Sequence, residues 1–174
     1  MKQLLIFTDF FGTIDKASVE DFFTLFSLIR KYCDEKGYDN FSFNIASGGK
    51  SSRILYSDIF LEVKHKLGET FSFEVYSNLI AVERKFFMDY LIEKTTISKK
   101  NNNVNKDNLI TKEVLCFDDD PFPTLVAPYS KRVYKENYDV DFNCIVVKKN
   151  IYDVIGFFEN ELIDIKRKGS KTNI

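Results

Sequence analysis

Three short stretches of the 174-residue sequence place chemistry-bearing side chains directly after apolar runs. Leu5-Ile6-Phe7-Thr8 leads into Asp9, Asn44-Ile45-Ala46 into Ser47, and Leu115-Cys116-Phe117 into Asp118-Asp119-Asp120. A carboxylate can act as a covalent nucleophile, and its hard oxygens are the kind Mg²⁺ takes as ligands. A serine followed by Gly48-Gly49 can hydrogen-bond an anion, because glycines let backbone N–H groups come close to a phosphate. Grouped carboxylates repel one another, and Mg²⁺ would relieve that repulsion while neutralising the phosphate charge that opposes an attacking carboxylate. Each stretch also has a plainer reading: Asp9 as a cap or turn residue, and Gly48-Gly49 as a loose turn.

The elements that must position these residues follow from hydrophobic periodicity. Gln3 to Thr8 is a short apolar run that suits a central buried strand. A helix follows, with Ser18 as N-cap and Asp21 three places on, a capping box with Asp in place of the usual Glu or Gln. Phe22, Phe26, Ile29 and Cys33 share its apolar face, a core surface and not a ligand-stacking one, and Gly37 ends it. Phe41 to Ala46 reads as a second strand, Ser51 to Leu67 as a helix through Leu55, Ile59 and Val63, and Phe71 to Tyr76 as a strand. Val82 to Glu93 reads as a helix with Phe86, Phe87, Tyr90 and Leu91 on its apolar side. Lys99 to Asn108, with five Asn and three Lys, is a polar loop. Val114 to Phe117 and Phe142 to Val147 are strands, Tyr152 to Ile165 a helix, and the basic run from Lys166 a frayed tail.

Strands alternating with helices predict an α/β three-layer sandwich with a mostly parallel, Rossmann-like sheet. In such sheets ligands sit outside the carboxyl ends of the strands, where Asp9, Ser47 and Asp118 to Asp120 fall.

Composition narrows the function classes. Lys and Arg number 25 against 26 Asp and Glu, a net charge of -1, so charge supplies no reason to expect a nucleic-acid or acidic-membrane partner. With 44% hydrophobic and 16% aromatic residues, disorder of the whole chain is ruled out. The apolar run after Lys2 meets Thr8-Asp9 too early for a signal peptide, and no stretch approaches the roughly 20 apolar residues of a membrane span. Cys33, Cys116 and Cys144 are widely spaced, without a C-x-x-C pair, and His65 sits between Lys64 and Lys66 on a polar face, so a zinc site is excluded. Reduced core cysteines fit a cytoplasmic protein. Gly49-Lys50-Ser51 before a helix invites a P-loop reading, which fails because the first glycine of that motif would fall on Asn44.

The motifs Leu5-Ile6-Phe7-Thr8-Asp9-Phe10-Phe11-Gly12-Thr13-Ile14, Asn44-Ile45-Ala46-Ser47-Gly48 and Leu115-Cys116-Phe117-Asp118-Asp119-Asp120-Pro121, in this order, resemble those of the haloacid dehalogenase (HAD) superfamily. Its members are mostly Mg²⁺-dependent phosphohydrolases with a Rossmann-like fold. The resemblance implies that Asp9 is the nucleophile, that Ser47 hydrogen-bonds the transferring phosphoryl group, and that Asp9, the Phe11 carbonyl, Asp118 and Asp119 hold Mg²⁺, with Asp119 the better ligand of the acidic pair. It also implies a charge-balancing lysine before the third motif. Lys94, Lys99, Lys100 and Lys106 lie there; Lys100 is taken as the candidate, with a solvated loop charge as the plain alternative.

One position departs from the family pattern. Where phosphatases of the superfamily carry a second Asp that protonates the leaving oxygen, this chain has Phe11, which cannot transfer a proton. General acid-base help, worth about 10²–10⁴-fold, is therefore missing from its usual place. Three readings follow. The first is a slow or atypical phosphohydrolase acting on a small phosphorylated molecule or a phosphorylated macromolecule. The second is an inactive HAD-like protein that keeps the pocket for binding. The third is a dehalogenase-like hydrolase, favoured by the aromatic residue at position 11 but disfavoured by the acidic triplet and by the lack of a clear Arg at the start of the cap region, Arg53 being too isolated. The resemblance covers the order of elements over roughly the whole chain, while the sequence match is confined to these three short motifs; it implies a single domain over 1–174, with 51–112 a small cap or loop insertion and 166–174 the basic frayed tail.

Overall fold

The structure is a computed structural model that describes residues 1–47, 58–68, 73–76, 86, 88–92, 94, 110–119, 121–148 and 150–171. The elements run β1 (Lys2–Thr8), α1 (Val19–Lys36), β2 (Asn40–Ala46), α2 (Asp58–Leu67), β3 (Phe73–Tyr76), β4 (Ile110–Asp118), α3 (Pro121–Tyr138), β5 (Asp141–Val146) and α4 (Ile151–Lys171). A further helical segment lies between β3 and β4 at 86, 88–92 and 94.

The five strands form one sheet in the order β3-β2-β1-β4-β5, and every pairing is parallel. Central parallel strands are covered on both faces, which is why β1 is nearly continuous in apolar residues. Leu4 and Ile6 point into one core with Phe22, Leu25, Phe26 and Ile29 of α1, Phe60 and Val63 of α2, and Val154 and Phe158 of α4. Leu5 and Phe7 point into the other, with Met88, Ile92 and Tyr134. The three-layer α/β sandwich expected from the alternation of elements is therefore the observed fold.

Several details differ from the periodicity reading, each for a physical reason. No element was expected over α3, which contains all three prolines of the chain. Pro121 and Pro123 fall in its first turn, where an N–H has no intrahelical acceptor to lose; Pro128 lies further in and breaks the usual signal. Strand β4 begins at Ile110 rather than Val114, because its polar residues are buried and partnered: Gln3 Nε2 donates to Thr111 Oγ1 at 3.0 Å, and Glu113 accepts from two tyrosines. In the segment before β4, Phe86 and Tyr90 are 67% and 57% exposed, and Met88 and Ile92, four residues apart, form the buried face, with Leu91 packed against that core as expected; Phe87 lies outside the described residues. Residues 166–171, expected as a frayed tail, continue α4, where basic side chains suit the negative end of the helix dipole. Span 51–112 contributes α2 and β3 to the sandwich itself. The helical start at 51–57 and the polar loop at 99–108 lie outside the described residues.

Candidate acidic site at the carboxyl edge of the sheet

The chain runs from β1 to its neighbour β2 through α1, and β4 lies on the other side of β1. The gap above β1 and β4 is thus the point where the strand order reverses, the place where open parallel sheets leave a crevice for ligands. Asp9 follows β1 and Asp118 ends β4. Thr8 pairs with Phe117 in register, and the Asp9 amide donates to the Phe117 carbonyl at 3.0 Å, so Asp9 and Asp118 stand at one level on adjacent strands. Carboxylate oxygens of Asp9, Asp118 and Asp119 all lie within 4.8 Å of one another.

The three carboxyls are held differently. Asp118 is 3% exposed, and its carbonyl accepts from the Val147 amide at 2.9 Å, which ties the end of β4 to the end of β5. Asp9 is half-buried, and one of its carboxylate oxygens accepts from the Phe10 amide at 2.8 Å. Asp119 is exposed and stands two positions before Pro121, the first residue of α3, on the side of that helix's positive end.

The loop after Asp9 is a tight turn. The Phe10 carbonyl accepts from the amides of Thr13, Ile14 and Asp15 at 3.3, 2.9 and 3.0 Å. The Phe10 ring is buried, and the half-buried Phe11 packs edge-on against it with ring centroids 5.0 Å apart. Gly12 has φ +77, and its amide donates to Asp15 Oδ1 at 3.1 Å. A Cβ at position 12 would overlap Asp119 Oδ2, so any larger residue would have to displace the Asp119 carboxylate as well as adopt the positive φ. Thr13 is fully buried, and its Oγ1 has no hydrogen-bond partner among the described residues.

Of the residues singled out in the sequence, Asp9, Asp118 and Asp119 come together. Ser47 follows β2 and is 1% exposed; Thr8 pairs with Ile45, so Ser47 stands one residue beyond the level of Asp9 on the other side of β1. Phe11 sits in the loop between Asp9 and Gly12. Lys100, Lys99 and Lys106 lie outside the described residues, and Lys94 lies in the helical segment before β4. Gly12 has no role of its own in the sequence reading; a glycine three residues after Asp9 is the one signal the sequence holds, and the closeness of Asp119 gives the physical reason. His65 is exposed, as expected of a surface residue.

The donor set suits a small hard cation. Mg²⁺ ligands lie about 2.0–2.1 Å from the ion, so opposite ligands are about 4 Å apart, and three carboxylate oxygens within 4.8 Å of one another need little movement to meet that geometry. All the donors are oxygens, the ligand type Mg²⁺ and Ca²⁺ prefer over the softer metals.

Comparison with protein-family models, curated proteins and solved structures returned no match. What the fold itself defines is an α/β sandwich with a five-stranded parallel sheet and an acidic cluster at its carboxyl edge. Among the described residues no helix is long and apolar enough to cross a membrane.

Proposed function

We propose that this chain is a cytoplasmic HAD-like hydrolase that cleaves phosphate esters through an aspartyl nucleophile with Mg²⁺ as cofactor. The observation that carries the reading is the convergence of Asp9, Asp118 and Asp119 at the switch point between β1 and β4. Asp9, Asp118, Asp119 and the Phe11 carbonyl would hold Mg²⁺, which when bound offsets the negative charge of the phosphoryl group. A carboxylate oxygen of Asp9 attacks phosphorus, the ester P–O bond breaks, and the leaving oxygen departs with its electron pair. Water then attacks the aspartyl-phosphate, releasing phosphate and restoring Asp9. Ser47 would hydrogen-bond the phosphoryl oxygens, and Lys100 would balance their charge.

Phe11 sets the limit. With no proton donor at that position, leaving groups that are stable as anions, such as aryl oxides, are favoured over alkyl ones, which take their proton from water. The same residue favours a second reading, a protein that binds a phosphorylated small molecule or macromolecule without cleaving it.

Calorimetry should give a Mg²⁺ binding heat for the native chain that is lost in Asp119→Ala; equal heats would remove Asp119 from the ligand set. Aryl phosphate cleavage should vanish in Asp9→Asn, where the amide keeps the shape and removes the nucleophile. Phe11→Asp should raise turnover on alkyl phosphates by up to about 10²–10⁴-fold. A folded Phe11→Asp protein without turnover favours the binding reading.

A further inference from the structure

The edge strand β5 carries a feature that the acidic site does not use. Cys116 of β4 and Cys144 of β5 are direct register partners. Adjacent strands lie about 4.8 Å apart, which puts in-register Cα atoms inside the roughly 4.4–6.8 Å range that a disulfide spans. Both side chains project from the same face of the sheet, since Cys144 packs against the core cluster that contains Cys116, Val114 and Phe142. Both are thiols in the structure. We propose that Cys116 and Cys144 form a reversible cross-strand disulfide when the protein meets a peroxide.

Exposure sets the order of events. Cys144 is half-buried on an edge strand and open to a small oxidant, whereas Cys116 is 4% exposed on a strand paired on both sides. The Cys144 thiolate attacks one oxygen of hydrogen peroxide, the O–O bond breaks, and a sulfenic acid forms with release of one water after protonation. The Cys116 sulfur then attacks the sulfenic sulfur, its proton leaves with the displaced hydroxide as a second water, and the S–S bond closes. In sum two thiols are oxidised and one peroxide is reduced to two waters. Cys33 stays out of this chemistry: it is buried in the core on the opposite face of the sheet, and burial pushes its thiol up to about 12, away from the reactive thiolate.

Side chains in register on parallel strands run side by side, so their Cβ atoms stay near the strand spacing of about 4.8 Å, wider than the mean of about 3.8 Å for a relaxed bridge. Closing the bond therefore draws β5 toward β4 two residues before Asp118, and a strained bridge is readily reduced. The proposal is independent of how the three carboxylates are used.

The test uses the full chain, folded and reduced, exposed to hydrogen peroxide and then alkylated in denaturant before tryptic digestion. Cys116, Cys144 and Cys33 fall in separate tryptic peptides, 113–131, 136–148 and 32–36. The expected result is a linked pair of the first two peptides within one chain, lighter than their sum by two hydrogens, with Cys33 fully alkylated and the link removed by dithiothreitol. Cys116→Ser should abolish the link and leave a Cys144 sulfenic acid trapped by a dimedone probe. Alkylation of both Cys116 and Cys144 after peroxide treatment, or a link found only between two chains, overturns the proposal. A dimedone adduct at Cys116 but not at Cys144 overturns the order of attack.

Discussion

Gly12 shows at the scale of one residue how the loop after β1 and the end of β4 are made to meet. Its φ of +77 costs an L side chain about 1–2 kcal/mol, and the Asp119 carboxylate occupies the space that a Cβ would need. Gly37 is the internal control: its φ is +68, but nothing lies within 4 Å of a Cβ there. Gly37→Ala is therefore expected to lower the urea midpoint by an amount equal to about 1–2 kcal/mol and to leave Mg²⁺ binding unchanged. Gly12→Ala should lower stability at least as much and also weaken the proposed Mg²⁺ binding, because Asp119 has to move. Calorimetry and urea titration of both variants separate the two effects; equal Mg²⁺ affinity in the pair would show that Gly12 serves the turn alone. Phe11, one residue earlier, gave the opposite kind of information, since its chemistry was readable from its type and place without coordinates.

At the scale of elements, α1 was legible almost entirely from sequence because its signals are local. Ser18 Oγ accepts from the Asp21 amide at 3.1 Å, and Asp21 Oδ2 accepts from the Ser18 amide at 2.8 Å, so the shorter Asp closes the capping box. Gly37 supplies the left-handed C-cap, and its amide reaches the Asp34 carbonyl at 3.3 Å. Ser18→Ala is expected to cost about 0.5–2 kcal/mol by leaving the Asp21 amide without its side-chain acceptor, read as a lower urea midpoint at an unchanged m-value. Helix α3 was not legible, because its prolines oppose the helix and its support comes from packing: Tyr134, with the partly buried Val133, joins a core cluster with Phe142 of the next strand and Met88, 46 residues earlier in the chain.

The whole molecule is closed at the end of the sheet opposite the acidic site by a buried carboxylate. Glu113, near the start of β4, is 4% exposed and accepts from Tyr32 Oη at 2.9 and 3.0 Å and from Tyr38 Oη at 3.0 Å, which ties the C-terminal end of α1 to the sheet. Desolvation raises its pKa above the ordinary 4.5; the Lys36 charge and the two tyrosine hydrogen bonds oppose that shift, and Asp141 adds to it. A raised folded-state value means that the folded chain binds this proton more tightly than the unfolded chain. The contribution of Glu113 to stability is therefore greatest below the unfolded value, falls as pH rises toward the folded value, and stays at its lowest above it. Glu113→Gln, neutral and of the same shape, lacks that fall. Relative to the native chain, the variant should gain stability as pH rises from 4.5 toward the raised folded-state value, measured as the difference in urea midpoints over a pH series. A difference that does not change with pH would mean that Glu113 titrates as it does in the unfolded chain.

The sequence by itself determined the fold class and the residue types of the site, because both rest on local order. Apolar runs mark strands, four-and-three spacing marks helices, and carboxylates placed after strands fall on one edge of any parallel sheet. What only the tertiary structure decided were relations between distant segments. The order β3-β2-β1-β4-β5 put Asp9 beside Asp118 and Asp119, more than 100 residues away in the chain. The register of β4 against β5 set Cys116 beside Cys144. Burial turned Glu113, polar by type, into a core residue, because two tyrosine hydroxyls from α1 and the turn that follows it met its carboxylate. Such partners leave no periodic mark on the chain, since pairing across strands depends on which segments become neighbours when the sheet closes.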